Sequence, residues 1–180
     1  PGPGPSDGAD PRWTAGDILW DVPVKYEQFS GEPYVPVNYD GAFHGPVRLR
    51  AALANSYNIP AVLLLQDMTV ARLLEFGRAL GITTWTGDSS QYGLSLTLGG
   101  GEVTPLELTT AYATFANGGN KVTPVSILKV ERTNGEVLFE HTPPAAERVV
   151  DERVAYLISH ILDDDAARRP AMGSPNPMEQ

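Results

Sequence analysis

The chain has 180 residues, 42% of them hydrophobic and 19% charged, which supplies a sizeable core and excludes wholesale disorder. A formal net charge of −9 argues against a nucleic-acid binder, because a phosphate backbone needs a basic stripe to release its counterions. Cysteine is absent, which removes disulfide frameworks, thiolate catalysis and cysteine-type zinc sites together and leaves the redox compartment open.

In chain order, residues 1–11 read as a linker. The run PGPGPSDGAD holds no apolar residue larger than alanine, and its alternating Pro and Gly oppose both helix and ladder. Residues 12–47 carry Pro23, Pro33, Pro36 and Pro46 and read as an irregular, aromatic-rich wrap with a short extended piece at 18–22. A helical region follows over 48–119. Residues 47–55 suit one short helix and 61–66 another. Between them, Pro60 either biases Ile59 away from helical dihedrals or opens the second helix in its first turn. Thr69 is placed to cap a third helix, with Val70, Leu73 and Leu74 on one face and Gly81 as its stop. Residues 82–101, rich in Gly, Ser and Thr, read as loop.

Thr104-Pro105-Leu106-Glu107 is a strong helix start: a cap, proline at the first position, and glutamate three after the cap. Leu108, Ala111, Tyr112, Phe115 and Ala116 follow at helical spacing, and Gly118-Gly119 ends the run. Over 122–141 the pattern predicts a hairpin, with strands at 125–131 and 136–141 joined through Asn134-Gly135. Asp151 caps a C-terminal helix over 151–163, with Val154, Leu157, Ile158, Ile161 and Leu162 as its apolar face. The tail, 164–180, reads as loop. The fold class is therefore α+β and predominantly helical, with four or five helices and one hairpin. Two strands do not make an independently stable sheet, so this reads as the helical part of something larger. No run approaches the roughly 18 apolar residues of a membrane span, and residue 1 onward has no signal-peptide pattern. The chain reads as soluble, with any anchor outside it.

Several blocks resemble one family. They are Tyr34-Val35-Pro36-Val37-Asn38-Tyr39-Asp40-Gly41, then Phe43-His44-Gly45-Pro46-Val47-Arg48-Leu49-Arg50, then Ala52-Leu53-Ala54-Asn55-Ser56-Tyr57-Asn58-Ile59-Pro60-Ala61-Val62. Leu96-Thr97-Leu98-Gly99-Gly100, Glu102-Val103-Thr104-Pro105-Leu106-Glu107 and Ala111-Tyr112-Ala113-Thr114-Phe115-Ala116-Asn117-Gly118-Gly119 continue in the same order. They resemble the transpeptidase domain of bifunctional, class A penicillin-binding proteins, and the resemblance runs from about Trp13 to the C-terminus. It implies the helical part of the serine β-lactamase/D,D-transpeptidase-like fold plus one hairpin, with the central five-stranded sheet largely missing, so that residues 12–180 form a partial domain.

That family works with three motifs, S-x-x-K, S-x-N and K-[ST]-G. Ser56-Tyr57-Asn58 matches the second. By the resemblance, the Ser56 hydroxyl relays a proton to or from the leaving group together with the nucleophile's lysine. The Asn58 side-chain amide binds the peptide or β-lactam amide and orients that lysine. Acyl transfer needs a proton delivered to the departing amine, and a hydroxyl on a rigid turn passes one without carrying net charge. No serine before Ser56 has lysine three residues on: Ser6 leads to Ala9 and Ser30 to Pro33. None of Lys25, Lys121 and Lys129 precedes Thr/Ser-Gly. The chain therefore reads as the segment between the first and third motifs, inactive alone.

Other features have plainer readings. Ser126-Ile127-Leu128-Lys129 spells S-x-x-K but follows Ser56 and falls in a segment that reads as strand, where i and i+3 point to opposite faces. His44 reads as a hydrogen-bonded histidine of the turn from Phe43 to Pro46. His141 and His160 share no ligand spacing, so a metal is not expected, nor is a cofactor. Asp163-Asp164-Asp165 reads as a solvated helix end, and Gly99-Gly100-Gly101 as a turn without phosphate-loop spacing. Trp13, Trp20, Tyr26, Phe29, Tyr34 and Tyr39 read as packing of the wrap rather than a carbohydrate platform.

The resemblance implies a parent on the outer face of the bacterial cytoplasmic membrane, membrane-anchored and usually alongside a glycosyltransferase domain. Its partners would be peptidoglycan stem peptides and β-lactams, with no nucleic acid. The alternative is a catalytically silent structural or interaction module that keeps the helical scaffold.

Overall fold

A computed structural model describes residues 13–27 and 32–177. The expected linker at 1–11 lies outside the described residues. In chain order the elements are β1 (Ile18–Asp21), β2 (Gly45–Arg48), α1 (Leu49–Ala54), α2 (Asn58–Met68), α3 (Val70–Ala79), a 3-10 turn (Leu94–Leu98), α4 (Pro105–Ala116), β3 (Lys129–Glu131), β4 (Val137–Glu140), α5 (Glu152–Leu162) and α6 (Asp165–Met172). This is the α+β, mainly helical composition expected. The residues divide into two compact units. One gathers the described residues up to Leu74 with Gly87–Gly101 and those from Leu157 onward, and the other combines Glu75–Thr86 with Glu102–Tyr156.

In the first unit, the wrap contains a regular ribbon that its prolines concealed. β1 and β2 pair antiparallel from Ile18 opposite Arg48 to Asp21 opposite Gly45. Alternate side chains of β1 turn inward, so Leu19 and Asp21 are buried while Ile18 and Trp20 are exposed. Pro46 is tolerated because a two-stranded ribbon leaves each strand one edge that needs no N–H. Leu49 N–H donates to Asp17 O at 2.8 Å, which carries β2 directly into α1.

α2 is the centre of this unit. Ile59, Val62 and Leu65 are buried, and the helix packs on β1 and on the 3-10 turn. Pro60 lies inside its first turn, where the missing N–H has no intrahelical partner to lose. The helix therefore starts at Asn58, three residues earlier than the expected 61–66. Trp13 Nε1–H donates to Asp67 Oδ2 at 2.9 Å and ties the start of the described chain to the end of α2.

The tail is not loop throughout. Asp164 Oδ1 accepts Ala167 N–H at 2.9 Å and caps α6, with Asp165 in its first turn and Arg169 in its last. Asn55 holds α6 against α1: its Nδ2 donates to Ala167 O at 2.9 Å and its Oδ1 accepts Ala171 N–H at 3.0 Å. Pro170 inside the helix had pointed to loop, yet its cost is met by these tertiary bonds. Two of the three consecutive aspartates are also engaged and not merely solvated. Asp164 pairs with Arg50 at 2.6 Å, and Asp165 pairs with Arg168.

In the second unit, α4 starts as its chemistry dictates, with Thr104 and Glu107 closing a reciprocal capping box behind Pro105. The buried face differs from the expected one. Thr110, Ala111 and Thr114 point inward, whereas Leu108 and Tyr112 are exposed. The threonine hydroxyls return to the helix's own carbonyls, Thr110 to Leu106 O at 2.7 Å and Thr114 to Thr110 O at 3.3 Å, which lets them be buried. Leu80, Ala111, Val150 and Ala155 form a core cluster, with Phe115 and Val149 against it. Gly119 is required where it stands: a Cβ there would lie 2.1 Å from Val150 O.

The hairpin turns through Asn134-Gly135, with Gly135 at φ 87°. Its strands are shorter than expected, and both are exposed along their length. Residues 125–128 lie before β3 rather than in it. On α5, Ala155 and Ile161 are buried, whereas Val154, Leu157 and Leu162 are exposed.

Candidate functional site

The turn between α1 and α2 carries both candidate residues. α1 ends in a Schellman closure: Tyr57 N–H donates to Ala52 O at 3.0 Å, and Ser56 N–H donates to Leu53 O at 3.2 Å. That closure puts Ser56 in the left-handed position usually given to glycine, at φ 54°. A serine there is strained, and its side chain is thrust out from the turn and exposed. Tyr57 then has extended backbone, and Asn58 is the first residue of α2.

The N-cap Tyr57 offers no side-chain bond to the helix it precedes. A distant residue does this instead: Asn38 Oδ1 accepts Asn58 N–H at 2.8 Å. Asn58 Nδ2 donates to Val37 O at 2.7 Å. Its amide nitrogen carries two hydrogens and its Oδ1 two lone pairs, so one N–H and the oxygen stay outside that bond.

Asn38 is 3% exposed and its Nδ2 lies 2.9 and 2.8 Å from the two oxygens of Asp21, and 2.8 Å from Ala42 O. Asp21, at the inner end of β1, is 0% exposed. Its Oδ2 also accepts His44 N–H at 3.0 Å and lies 2.6 Å from His44 Nδ1. A carboxylate only accepts, so Nδ1 carries the proton. His44 Nε2 faces Asp40 Oδ2 at 3.2 Å. The His44 ring stacks on Tyr57, with centroids 4.0 Å apart and planes 14° from parallel. Burial, reinforced by the negative charges of Asp40 and Asp21, raises the Tyr57 hydroxyl above its ordinary pKa.

Ser56 and Asn58 are thus brought onto one rigid turn, and His44 is hydrogen-bonded and packed against the residue between them. The reading from sequence missed Asp21 and Asn38. Asn38 stands in one of the resembling blocks, but nothing in its neighbours marks it as a cap for a helix twenty positions on.

The remaining candidates lie elsewhere. Ser126 is in a bend ahead of β3 and Lys129 pairs with Glu131, so the S-x-x-K spelling makes no serine–lysine couple. Lys25 pairs with Glu27 at 3.0 Å. His160 Nδ1 meets Arg50 at 2.9 Å. Of the aromatic wrap, Tyr26 and Tyr34 stack at 6.2 Å, Trp20 and Tyr39 are exposed, and Phe29 lies outside the described residues.

The model of the penicillin-binding protein transpeptidase domain matches residues 22–174. Penicillin-binding protein 1A of Aquifex aeolicus is 43% identical over 122 residues, covering 68% of this chain and 16% of that protein. Penicillin-binding protein 1A of Pseudomonas aeruginosa is 33% identical over 147 residues, covering 81% of this chain and 17% of that protein. The chain therefore spans less than a fifth of these relatives' length. The crystal structure of penicillin-binding protein 1A from Haemophilus influenzae superimposes with a TM-score of 0.73 at 28% identity, over 84% of this chain and 26% of that one. PonA1 of Mycobacterium tuberculosis in complex with penicillin V, at 18% identity and a TM-score of 0.73, shares the fold over 89% of this chain and 44% of its own. The chain belongs to the penicillin-binding protein transpeptidase domain family, on the class A branch.

Proposed function

We propose that the chain supplies the S-x-N element of a peptidoglycan D,D-transpeptidase, an acyltransferase that cross-links stem peptides and is acylated by β-lactams. The observation that carries this reading is the display of Ser56 at the strained left-handed position of the turn, one residue before Asn58 opens α2. Strain of this kind is kept where a side chain has to be aimed.

In the proposed reaction a serine hydroxyl from the S-x-x-K motif, carried outside these residues, attacks the carbonyl carbon of the D-alanyl peptide or the β-lactam. The C–O bond forms, the C–N bond breaks, and the departing nitrogen takes a proton. The nucleophile's lysine takes the attacking hydroxyl's proton, and Ser56 Oγ–H relays a proton from that lysine to the nitrogen. The Asn58 N–H that is not bound to Val37 O donates to the substrate amide carbonyl, and its Oδ1 accepts from the lysine. Neither step adds charge at Ser56, which suits an exposed hydroxyl.

The parent is read as acting on the outer face of the cytoplasmic membrane, anchored by a segment beyond these residues. Among the described residues, no helix is long and apolar enough to cross a membrane. The test is acylation by a fluorescent penicillin in the protein that carries this chain with the S-x-x-K nucleophile. Ser56→Ala and Asn58→Ala should each slow it by about 10²-fold or more. Unaltered rates in both would leave Ser56-Tyr57-Asn58 as a helix-linking turn in a structural module.

A further inference from the structure

The turn that presents Ser56 and Asn58 is held from one side by a single buried acid. Asn58 N–H is bound by Asn38 Oδ1, and Asn38 is bound through its Nδ2 to both oxygens of Asp21. Tyr57 is covered by the His44 ring, and His44 is bound through its main-chain N–H and its Nδ1 to Asp21 Oδ2. Both arms end on the same fully buried carboxylate. Burying a charge is costly unless its lone pairs are used, and here Asn38 and His44, which bond it, both lie on the 38–44 segment that backs the turn.

We propose that His44 is a positioning residue for the acyl-transfer site: held between Asp21 and Asp40, its ring is a fixed plate against which Tyr57 is stacked, and this sets where Ser56 and Asn58 point. The proposal rests on the reading of Ser56 and Asn58 given above. The charged groups that face the ring are Asp21 at Nδ1 and Asp40 at Nε2, with Tyr57 across its face. The bond from Nδ1 to Asp21 and the stack on Tyr57 fix the plane of the ring, since a flip or tilt breaks one or the other, and Asp40 Oδ2 stands 3.2 Å from Nε2 at the far end. A ring fixed in this way transmits its position to Tyr57. Tyr57 sits between the two functional side chains, so a small shift of its backbone re-aims both.

The experiment measures acylation by fluorescent penicillin in the protein that carries this chain with its nucleophile. His44→Ala should slow acylation by about 10-fold or more, the scale expected when a reacting group is misplaced by a fraction of an ångström. Tyr57→Leu, which removes the stack and leaves Asp21 fully bonded, should slow it by a similar factor and guards against a His44→Ala variant that does not fold. On a Ser56→Ala/Asn58→Ala background, His44→Ala should add less than about twofold, because a residue that acts by aiming those two side chains has nothing left to position. Val62→Ala, a buried residue of α2 outside the network, should lower the thermal midpoint comparably yet keep the rate within about twofold.

Unaltered rates in His44→Ala and Tyr57→Leu, beside a slowed Asn58→Ala, would overturn the proposal and leave the S-x-N reading standing. So would a full 10-fold effect of His44→Ala on the Ser56→Ala/Asn58→Ala background, or an equal slowing by Val62→Ala. Unaltered rates in Ser56→Ala and Asn58→Ala would instead overturn the underlying reading.

Discussion

Asn38 Oδ1 accepts the main-chain N–H of Asn58 at 2.8 Å, so α2 is capped by a side chain twenty positions away rather than by its own N-cap residue. The consequence is that the start of the most buried helix of its unit depends on the loop after β1. Asn38 in turn depends on Asp21.

Replacing Asn38 tests that dependence. Asn38→Ala leaves Asn58 N–H, Ala42 O and the buried Asp21 each short of a partner, and should cost about 2–4 kcal/mol of unfolding free energy. Asn38→Asp keeps the shape and the acceptor but sets a second carboxylate against Asp21, so it should be at least as damaging. Denaturant unfolding of both variants checks this. An Asn38→Asp protein as stable as the parent would mean that the bonds to Asp21 contribute nothing.

Ser56→Gly separates stability from activity at the turn. Glycine relieves a left-handed backbone, worth about 1–2 kcal/mol, against about 0.5–1 kcal/mol for its greater freedom when unfolded. The variant should therefore be more stable by about 0.5–1 kcal/mol, while acylation slows as in Ser56→Ala. Unfolding and acylation measured on one preparation decide it. A Ser56→Gly protein less stable than the parent would remove the strain argument.

How much of this was legible in the sequence depends on how local each cause is. The α4 start was readable because cap, proline and glutamate lie within four residues and satisfy one another. Its inward face was not, because Leu106, Leu108, Ala111, Tyr112 and Phe115 surround the helix and only packing selects among them. α6 was hidden by Pro170, whose local penalty is offset by Asn55, more than a hundred residues earlier. At the site, the motif marks Ser56 and Asn58. Asp21 and Asn38 carry no local signature, since their function arises only when β1 and the following loop close onto α2.

Glu107 should make the second unit acid-sensitive. Its carboxylate accepts from Thr83 N and Oγ1, both at 2.7 Å, from Thr84 and from Thr104, which ties the 83–84 loop to the start of α4. Those bonds, led by the Thr83 hydroxyl, hold its pKa at about 2 against an ordinary 4.5. The sign follows from linkage: the folded pKa is depressed, so the stabilisation is present above pH 4.5 and is lost as pH falls towards 2. Thermal midpoints of the parent and Glu107→Gln should differ at pH 6 and converge by about pH 2. A constant difference across that range would show that the bonds do not depend on ionisation.

The chain alone should form no covalent adduct with fluorescent penicillin, because its one S-x-x-K spelling places Ser126 in a bend and engages Lys129 with Glu131. Intact mass after incubation is the measurement. A one-to-one acyl adduct, above all one mapping to Ser126, would contradict this.

The chain alone should also be marginal or partly molten, and the reason lies on two helices. α4 exposes Leu106 at 62% and Tyr112 at 55%, with Leu108 beside them. α5 exposes Tyr156 at 64%, together with Val154 and Leu157. Each large side chain left in water forgoes about 1.5–3 kcal/mol of burial. A typical domain holds only about 5–15 kcal/mol in total, so a handful of such positions is enough to remove a single native state. The apolar residues of the β3–β4 hairpin, Val130, Val137, Leu138 and Phe139, are exposed as well, and a two-stranded ribbon has little stability of its own to add. Circular dichroism on heating should therefore give a broad transition with helical signal retained, and a hydrophobic dye should bind before the transition begins. A sharp cooperative transition without dye binding would show a self-sufficient domain, and would favour a structural module over a part of an enzyme.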